Sequence, residues 1–337
     1  MEEKRNSTLK DVALLAGVSL GTASKVANGI YVRPEFRIKV EAAMEELQYV
    51  PNTIARSLKM KATKTIGIIV PDISRTVASK IVQGVDAVGQ QAGYSTMICS
   101  TQIQEKNELS AIKTFAEKMV DGIVYTGNTV SPKVARALKQ LGVPVVLVST
   151  YYNDRYFSTV QIDNEKAAYE AVKLLLKHEH REIAMLAGEK DDQNAGEPRL
   201  RGYFRALQEY GIKINDSLVK YGHYRALDGY KNMSQLLDEQ VDFSAVFCAS
   251  DDMAFGALKS IAERGLKVPE DISIIGFDGI DMIDYTYPCL GSVYQPLYDF
   301  GAEAAKIIIS QVEEKRAGTH LILEYKVKAN GSVLQKQ

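Results

Sequence analysis

The chain has 337 residues, 46% of them apolar and 25% charged, so it is too long for one ordinary core and its composition is that of a globular protein of two or three domains. Its net charge of −1 is unevenly placed: residues 1–64 carry eleven Lys/Arg against seven Asp/Glu, and the remainder 30 against 35, a basic head on an acidic body. No signal-peptide pattern, no bilayer-length apolar run and no disulfide or metal spacing among Cys99, Cys248 and Cys289 is present, which predicts a cytoplasmic protein away from the membrane, with no metal and no cofactor.

In chain order, Thr8 with Asp11 three residues later forms a capping-box pattern, and Leu9, Val12, Ala13 and Ala16 follow at helical spacing. Gly17 suits a tight turn after this short helix. Ser19 can cap a second helix through Thr22, Ala23, Val26 and Ala27, which stops at Asn28-Gly29. Pro34 suits the first turn of a third helix, whose buried stripe is Phe36, Val40, Ala43, Met44 and Leu47. Two short helices, a glycine turn and a bracing helix predict a helix-turn-helix unit.

Residues 52–59 predict a short hinge helix after Pro51, and Lys59 to Lys64 a polar linker. From Thr65 the pattern alternates. Strand-like runs fall at 65–70, 95–99, 121–125 and 144–148, with amphipathic helical runs near 78–92, 105–118 and 131–140. A second set follows, with helices near 164–178, 199–210, 229–239 and 252–264 and strands near 182–187, 217–221, 244–248 and 272–276. This alternation predicts two α/β lobes, each a parallel sheet covered by helices on both faces, meeting at a cleft beyond the strand ends.

Four pieces of the head also carry a resemblance. Asp11-Val-Ala, Ala16-Gly-Val-Ser, Thr22-Ala-Ser-Lys-Val and Tyr49-Val-Pro-Asn-x-x-Ala-Arg-x-Leu58 resemble, in order and spacing, the LacI/GalR (lac repressor) family. The resemblance covers essentially the whole chain and is sharpest before residue 73. It implies an all-α helix-turn-helix head at 1–51, a hinge helix and linker at 52–64, and a two-lobed core like the periplasmic sugar-binding proteins. By the same resemblance the N-terminal lobe takes 65–161 plus 292–321 and the C-terminal lobe 162–291 plus 322–337. The chain would cross between lobes near 160–163, 288–293 and 321–325, and the helix from Pro296 to about Glu314 would return to the first lobe.

The implied function is sequence-specific transcriptional regulation, most simply repression, by a homodimer on a near-palindromic operator DNA. Base reading falls to Leu20, Gly21 and Lys25, with Ser19, Ser24 and Asn28 positioning phosphates. Leu20 offers apolar contact, for example to a thymine methyl, and Gly21 offers no side chain. Lys25 stands where the family usually has arginine, so it can donate to guanine without the guanidinium fork. Thr8, Leu9, Thr22, Arg37, Tyr49, Asn52, Ala55 and Arg56 complete the expected interface, and Leu58 would wedge into the minor groove at the operator centre. The segment Val32-Arg33-Pro34-Glu35-Phe36-Arg37 departs from the family, because Arg33 and Phe36 replace a phosphate-contacting Ser/Thr pair.

For the cleft, the resemblance implies an effector, a sugar or sugar phosphate, held by Arg199 and Asp278, with Ser250, Gln295 and Ser149 as further contacts. At Ser74-Arg75-Thr76 the aromatic residue usual in the family is missing, and Arg75 stands free to meet a phosphate or carboxylate. The catabolite-control branch of the family instead answers to a phosphorylated carrier protein, and a solute-binding protein without a regulatory role is the remaining rival. Enzyme readings are weaker. Gly17-Val-Ser19-Leu-Gly21 matches a nucleophile-elbow pattern, but a helix rather than a strand precedes it. Asp278, Asp281 and Asp284 lack partnering histidines or metal spacing, so no catalytic residue is assigned.

Overall fold

The computed structural model describes residues 7–49, 62–314 and 318–336. The chain divides into two compact units, 1–63 and 64–337. Among the described residues no helix is long and apolar enough to cross a membrane.

The head contains α1 (Leu9–Leu15), α2 (Leu20–Ala27) and α3 (Pro34–Glu46). The capping box at Thr8 and Asp11 is formed, Gly17 takes φ +63°, and the Ser19 hydroxyl accepts the Thr22 amide at 3.1 Å. Val12, Ala13, Ala16, Ala23, Val26, Val40 and Ala43 make one small core. Fully buried Val12 and Val40 each contribute roughly 1.5–3 kcal/mol, which matters in so small a unit. The stripe expected on α3 is buried at Val40 and Ala43, while Phe36 remains half-exposed. The expected hinge helix, with Asn52, Ala55, Arg56 and Leu58, lies outside the described residues.

The larger unit holds two six-stranded sheets. The first runs β11-β5-β4-β3-β1-β2 and is parallel throughout. Its strands are β1 (Thr65–Val70), β2 (Ser95–Ser100), β3 (Gly122–Thr126), β4 (Val145–Val148), β5 (Ser158–Gln161) and β11 (His320–Ile322). Strand β1 shows why helices cover both faces. Ile66, Ile68 and Val70 join one apolar cluster, and Ile69 joins another with Phe115 and Leu138. The period-two alternation of a strand sends successive side chains to opposite faces, so a strand apolar on both sides needs two layers.

The second sheet runs β12-β10-β9-β8-β6-β7, parallel except for the last pairing of β10 with β12. It comprises β6 (Ile183–Ala187), β7 (Val219–Tyr221), β8 (Ala245–Cys248), β9 (Ser273–Asp278), β10 (Gly291–Tyr294) and β12 (Lys326–Lys328). The helices of the first lobe are α4 (Thr76–Gln91), α5 (Glu105–Glu117), α6 (Pro132–Gln140) and α11 (Leu297–Glu314). Those of the second are α7 (Asn164–Lys177), α8 (Gly196–Glu209), α9 (Ala226–Asp238) and α10 (Asp251–Glu263).

The chain crosses between sheets after β5, after β10 and between β11 and β12. The second crossing is later than the expected 288–293. Ser292 and Val293 still pair with Gly276 and Phe277 of β9, and Val293 is fully buried, so this segment completes the second sheet before the chain leaves at Gln295. Ile322 likewise pairs with Gln161 in the first sheet. Helices α4 and α11 meet at two glycines: a Cβ on Gly84 would fall 2.0 Å from the Tyr298 carbonyl, and one on Gly301 would fall 1.9 Å from that of Ile81. Only glycine permits backbones to approach so closely.

Candidate functional site

In the head, Leu20, Gly21, Ser24, Lys25 and Asn28 fall within about 140° of arc on α2 at 100° per residue, away from buried Ala23 and Val26. Leu20 is 45% exposed, and Gly21 and Lys25 are also exposed. Leu20 is therefore not consumed by the head core. Some of the expected phosphate contacts already serve the fold. The Thr22 hydroxyl pairs with Ser19 at 2.9 Å, and the Asn28 amide donates to the Ser24 carbonyl at 2.6 Å. Arg37 lies 3.9 Å from Glu41 on the exposed side of α3, and Tyr49 packs partly against the head core.

In the core, a cavity of about 120 Å³ opens at the strand ends of both sheets. All six residues named from the sequence line it: Arg75, Ser149, Arg199, Ser250, Asp278 and Gln295. Five come from or adjoin loops far apart in the chain, and Arg199 comes from α8. Arg75 follows β1 and Ser149 follows β4, while Ser250 follows β8, Asp278 ends β9 and Gln295 follows β10. A parallel arrangement gathers such loops at the carboxyl ends of its strands.

Arg199 is buried and held on several sides. Its Nε donates to Asn164 Oδ1 at 2.9 Å and its Nη1 to the Ala249 carbonyl at 2.6 Å, and the guanidinium stands 3.5 Å over the Phe277 ring. Asp278 Oδ1 lies 3.9 Å from Arg199 Nη1 and accepts the Gln295 side-chain amide at 2.8 Å. Burial pushes the Asp278 carboxyl above the usual carboxylate range, against the pull of Arg199 and Arg75. Ser250 caps α10 by accepting the Met253 amide at 3.2 Å, and donates to the Tyr224 carbonyl at 3.3 Å. Ser149 offers its carbonyl to Asn194 Nδ2 at 2.8 Å.

Arg75, read from the sequence as free for an anionic ligand, is engaged. Its Nη2 donates to the Tyr224 carbonyl at 2.7 Å and lies 3.4 Å from Asp252. Further contacts join the lobes at the cleft: Asn128 to Glu189 at 3.1 Å and Lys80 to Asp281 at 2.7 Å. The sequence reading missed Asn128, Asp192, Asn194 and Tyr224, all of which line the cavity. Asp192 accepts the Asn194 and Ala195 amides at 2.9 and 3.1 Å and bonds the buried Tyr224 hydroxyl. An Asp two residues before Asn at a strand end is an Asx-turn signal, the one clue the sequence offered here.

Comparison with known proteins gives two family matches. Residues 8–52 match "Bacterial regulatory proteins, lacI family", and residues 172–333 match "Periplasmic binding protein-like domain". The chain is 36% identical over 310 residues to the HTH-type transcriptional regulator RegA of Clostridium saccharobutylicum, covering 92% of this chain and 93% of that one. It is 34% identical over 318 residues to catabolite control protein A of Priestia megaterium, covering 94% and 96%. It is 35% identical over 320 residues to the HTH-type transcriptional repressor CytR of Escherichia coli (strain K12), covering 94% and 93%. Among solved structures, the lac repressor dimer bound to operator and the anti-inducer ONPF matches with a TM-score of 0.89 at 26% identity, covering 98% and 100%. A complex of the regulator CelR with cellobiose matches with a TM-score of 0.75 at 31% identity, covering 97% and 99%.

Proposed function

The chain belongs to the lacI family of bacterial regulatory proteins, and we propose that it represses transcription from a near-palindromic operator under the control of a small ligand in the interlobe cavity. It is a sequence-specific DNA-binding regulator, and its relatives are regulators rather than enzymes. The observation that carries the reading is convergence: six residues chosen from distant points of the sequence line one cavity. On the DNA side, Leu20, Gly21 and Lys25 read base edges in the major groove, and Leu58 enters the minor groove between the half-sites. The site of action is the cytoplasm. The operator's two-fold symmetry calls for a homodimer. Exposed Ile98 on edge strand β2 and exposed Met282, Tyr285 and Tyr287 supply apolar surface that a second copy would cover.

The ligand that fits best is neutral and rich in hydroxyls. Both guanidiniums are already matched, Arg75 by Asp252 and Arg199 by Asp278, so a phosphorylated sugar would have to displace a carboxylate from its cation. Asp278, Asn128, Asn194 and Ser149 instead offer acceptors and donors suited to a polyol.

A thermal-shift screen against monosaccharides, sugar phosphates, nucleosides and purines tests this reading. A binder at a hundred times its Kd stabilises the native state by about 2.7 kcal/mol. A neutral monosaccharide or nucleoside should shift the melting temperature, and the shift should vanish in both Asp278→Ala and Arg199→Ala. A response confined to phosphorylated sugars would reverse the charge argument. Silence across the panel would transfer control to a protein co-regulator such as a phosphorylated carrier.

A further inference from the structure

Asp278 faces the cavity from a backbone that L-residues rarely adopt, with φ +125°, and Gly279 beside it takes φ +72°. Glycine adopts such a φ freely, but an aspartate needs something to hold it there. The contact is made from the neighbouring helix. Asp251, the first residue of α10, is fully buried, and its Oδ2 accepts the amides of Gly279 at 2.7 Å and Ile280 at 3.0 Å. Its Oδ1 accepts the Ser292 hydroxyl of β10 at 2.6 Å. Asp251 does not line the cavity, so it has no ligand of its own to bind.

We propose that Asp251 is a positioning residue for the cavity: its buried carboxylate clamps the Asp278–Ile280 turn and so aims the Asp278 carboxylate at a bound ligand. The clamp also has a charge. Asp251 and Asp278 lie close enough that burial together with the Asp278 charge pushes the Asp251 carboxyl well above the ordinary range. The groups around the pair are Arg199 from α8, Arg75 at the head of α4, Asp252 beside Asp251, Cys248 from β8 and Tyr294 from β10. Both cations lie on the Asp278 side. Protonated Asp251 remains satisfied, because Ser292 can accept from it and turn its own hydroxyl toward the Val293 carbonyl, 3.4 Å away. The turn therefore persists in either protonation state, while the charge presented behind Asp278 changes with pH.

The inference rests on reading the cavity as the effector site, but its test needs no effector. In ligand-free, isotope-labelled full chain, the Gly279 and Ile280 amides should be protected from exchange, and their resonances should shift with pH above the ordinary carboxylate range. Asp278→Asn should move this shift to lower pH, because it removes the neighbouring negative charge. Asp251→Asn should keep amide protection within about threefold, since its amide oxygen can still accept both bonds. Asp251→Ala should lose protection at these two amides by tenfold or more, together with the Asp278 carbon shifts characteristic of positive φ. Ser292→Ala should keep both. Gly279 and Ile280 amides that exchange as freely in wild type as exposed loop amides, or that keep their protection in Asp251→Ala, would overturn the assignment; the first result needs no variant and stands even if Asp251→Ala fails to fold. An absent ligand response in wild type would remove the effector reading and leave the turn assignment standing.

Discussion

Arg75, at the head of a first-lobe helix, donates to the carbonyl of Tyr224 in the second lobe at 2.7 Å, which makes the cavity wall itself a fastening between the lobes. Its second partner is Asp252 at 3.4 Å. A charge-assisted hydrogen bond of this kind contributes roughly 1.5–3 kcal/mol, towards the low end here because the side chain is partly exposed. Arg75→Ala should therefore open the ligand-free core. Small-angle scattering should show a larger radius of gyration than wild type, and superposable curves would mean that the lobes are held by other contacts.

Removing Arg199 should do more damage. Its guanidinium satisfies Asn164 and the Ala249 carbonyl and lies over Phe277, and its loss leaves the buried Asp278 without its nearest cation. Breaking a buried pair from one side costs about 3–5 kcal/mol. The core transition of Arg199→Ala in calorimetry should fall by roughly 10 °C or more. A fall of only a degree or two would show that water enters and solvates the site.

The contact between α4 and α11 is backbone against backbone at Gly84. A methyl group there would meet the Tyr298 carbonyl and the Ala302 nitrogen at 2.0 and 2.8 Å, with no flexible side chain to yield. Overpacking of this kind costs about 1–3 kcal/mol, and Gly84→Ala should lie at the upper end in urea unfolding. An unchanged midpoint would mean that the helices separate at little cost.

His180 gives the stability a pH dependence of definite sign. It is buried, with Nδ1 against Ser244 at 2.9 Å and Nε2 against the Leu334 carbonyl at 2.9 Å. Burial, the largest cause, depresses its pKa below the ordinary imidazole value of about 6.5, so the folded chain favours the neutral ring. Between the depressed folded value and about 6.5 the unfolded chain binds more protons, and stability must rise with pH. The contribution is complete above about pH 6.5 and is lost as pH falls through the folded value. His180→Gln should flatten this limb of the stability profile, and an unaltered slope would assign it to another group.

On the DNA side, Lys25 and Gly21 are exposed and separable from folding. Lys25→Ala should weaken operator binding by about 1–3 kcal/mol and relax preference at one base pair, with head stability unchanged. Gly21→Ala should stabilise the head by about 0.5–1 kcal/mol, because only the Ser19 hydroxyl at 3.8 Å lies near the new methyl. It should nonetheless alter operator affinity. Equal operator affinity in both variants would remove α2 as the reading element.

What could be read from the sequence was what local pattern determines. The run TIGIIV is strand at Thr65–Val70 as expected, and the Thr8–Asp11 and Ser19–Thr22 caps form where the residue types demand them. Five of the six cavity residues sit at or just beyond strand ends, and Arg199 lies near the start of α8 in its Arg-x-x-Gly motif, which made them legible. Asn128, Asn194 and Tyr224 were not, because each acquires its place from a partner in another loop or the opposite lobe: Glu189, Ser149 and Arg75. Arg75 itself looked free for the same reason, since its partners lie 149 and 177 residues away in the chain. The second crossing was placed early because GSVY at Gly291–Tyr294 is short and carries its meaning in pairing with β9, which no periodicity reveals.

DNA recognition governed by the cavity can be measured by selecting a duplex from a randomised library with the full chain and titrating the winner with the sugar and nucleoside panel. An inverted repeat of two half-sites should emerge, and at least one small neutral ligand should change its affinity tenfold or more in wild type but not in Asp278→Ala. A library without an enriched inverted repeat would contradict it, and so would a ligand response that survives loss of Asp278.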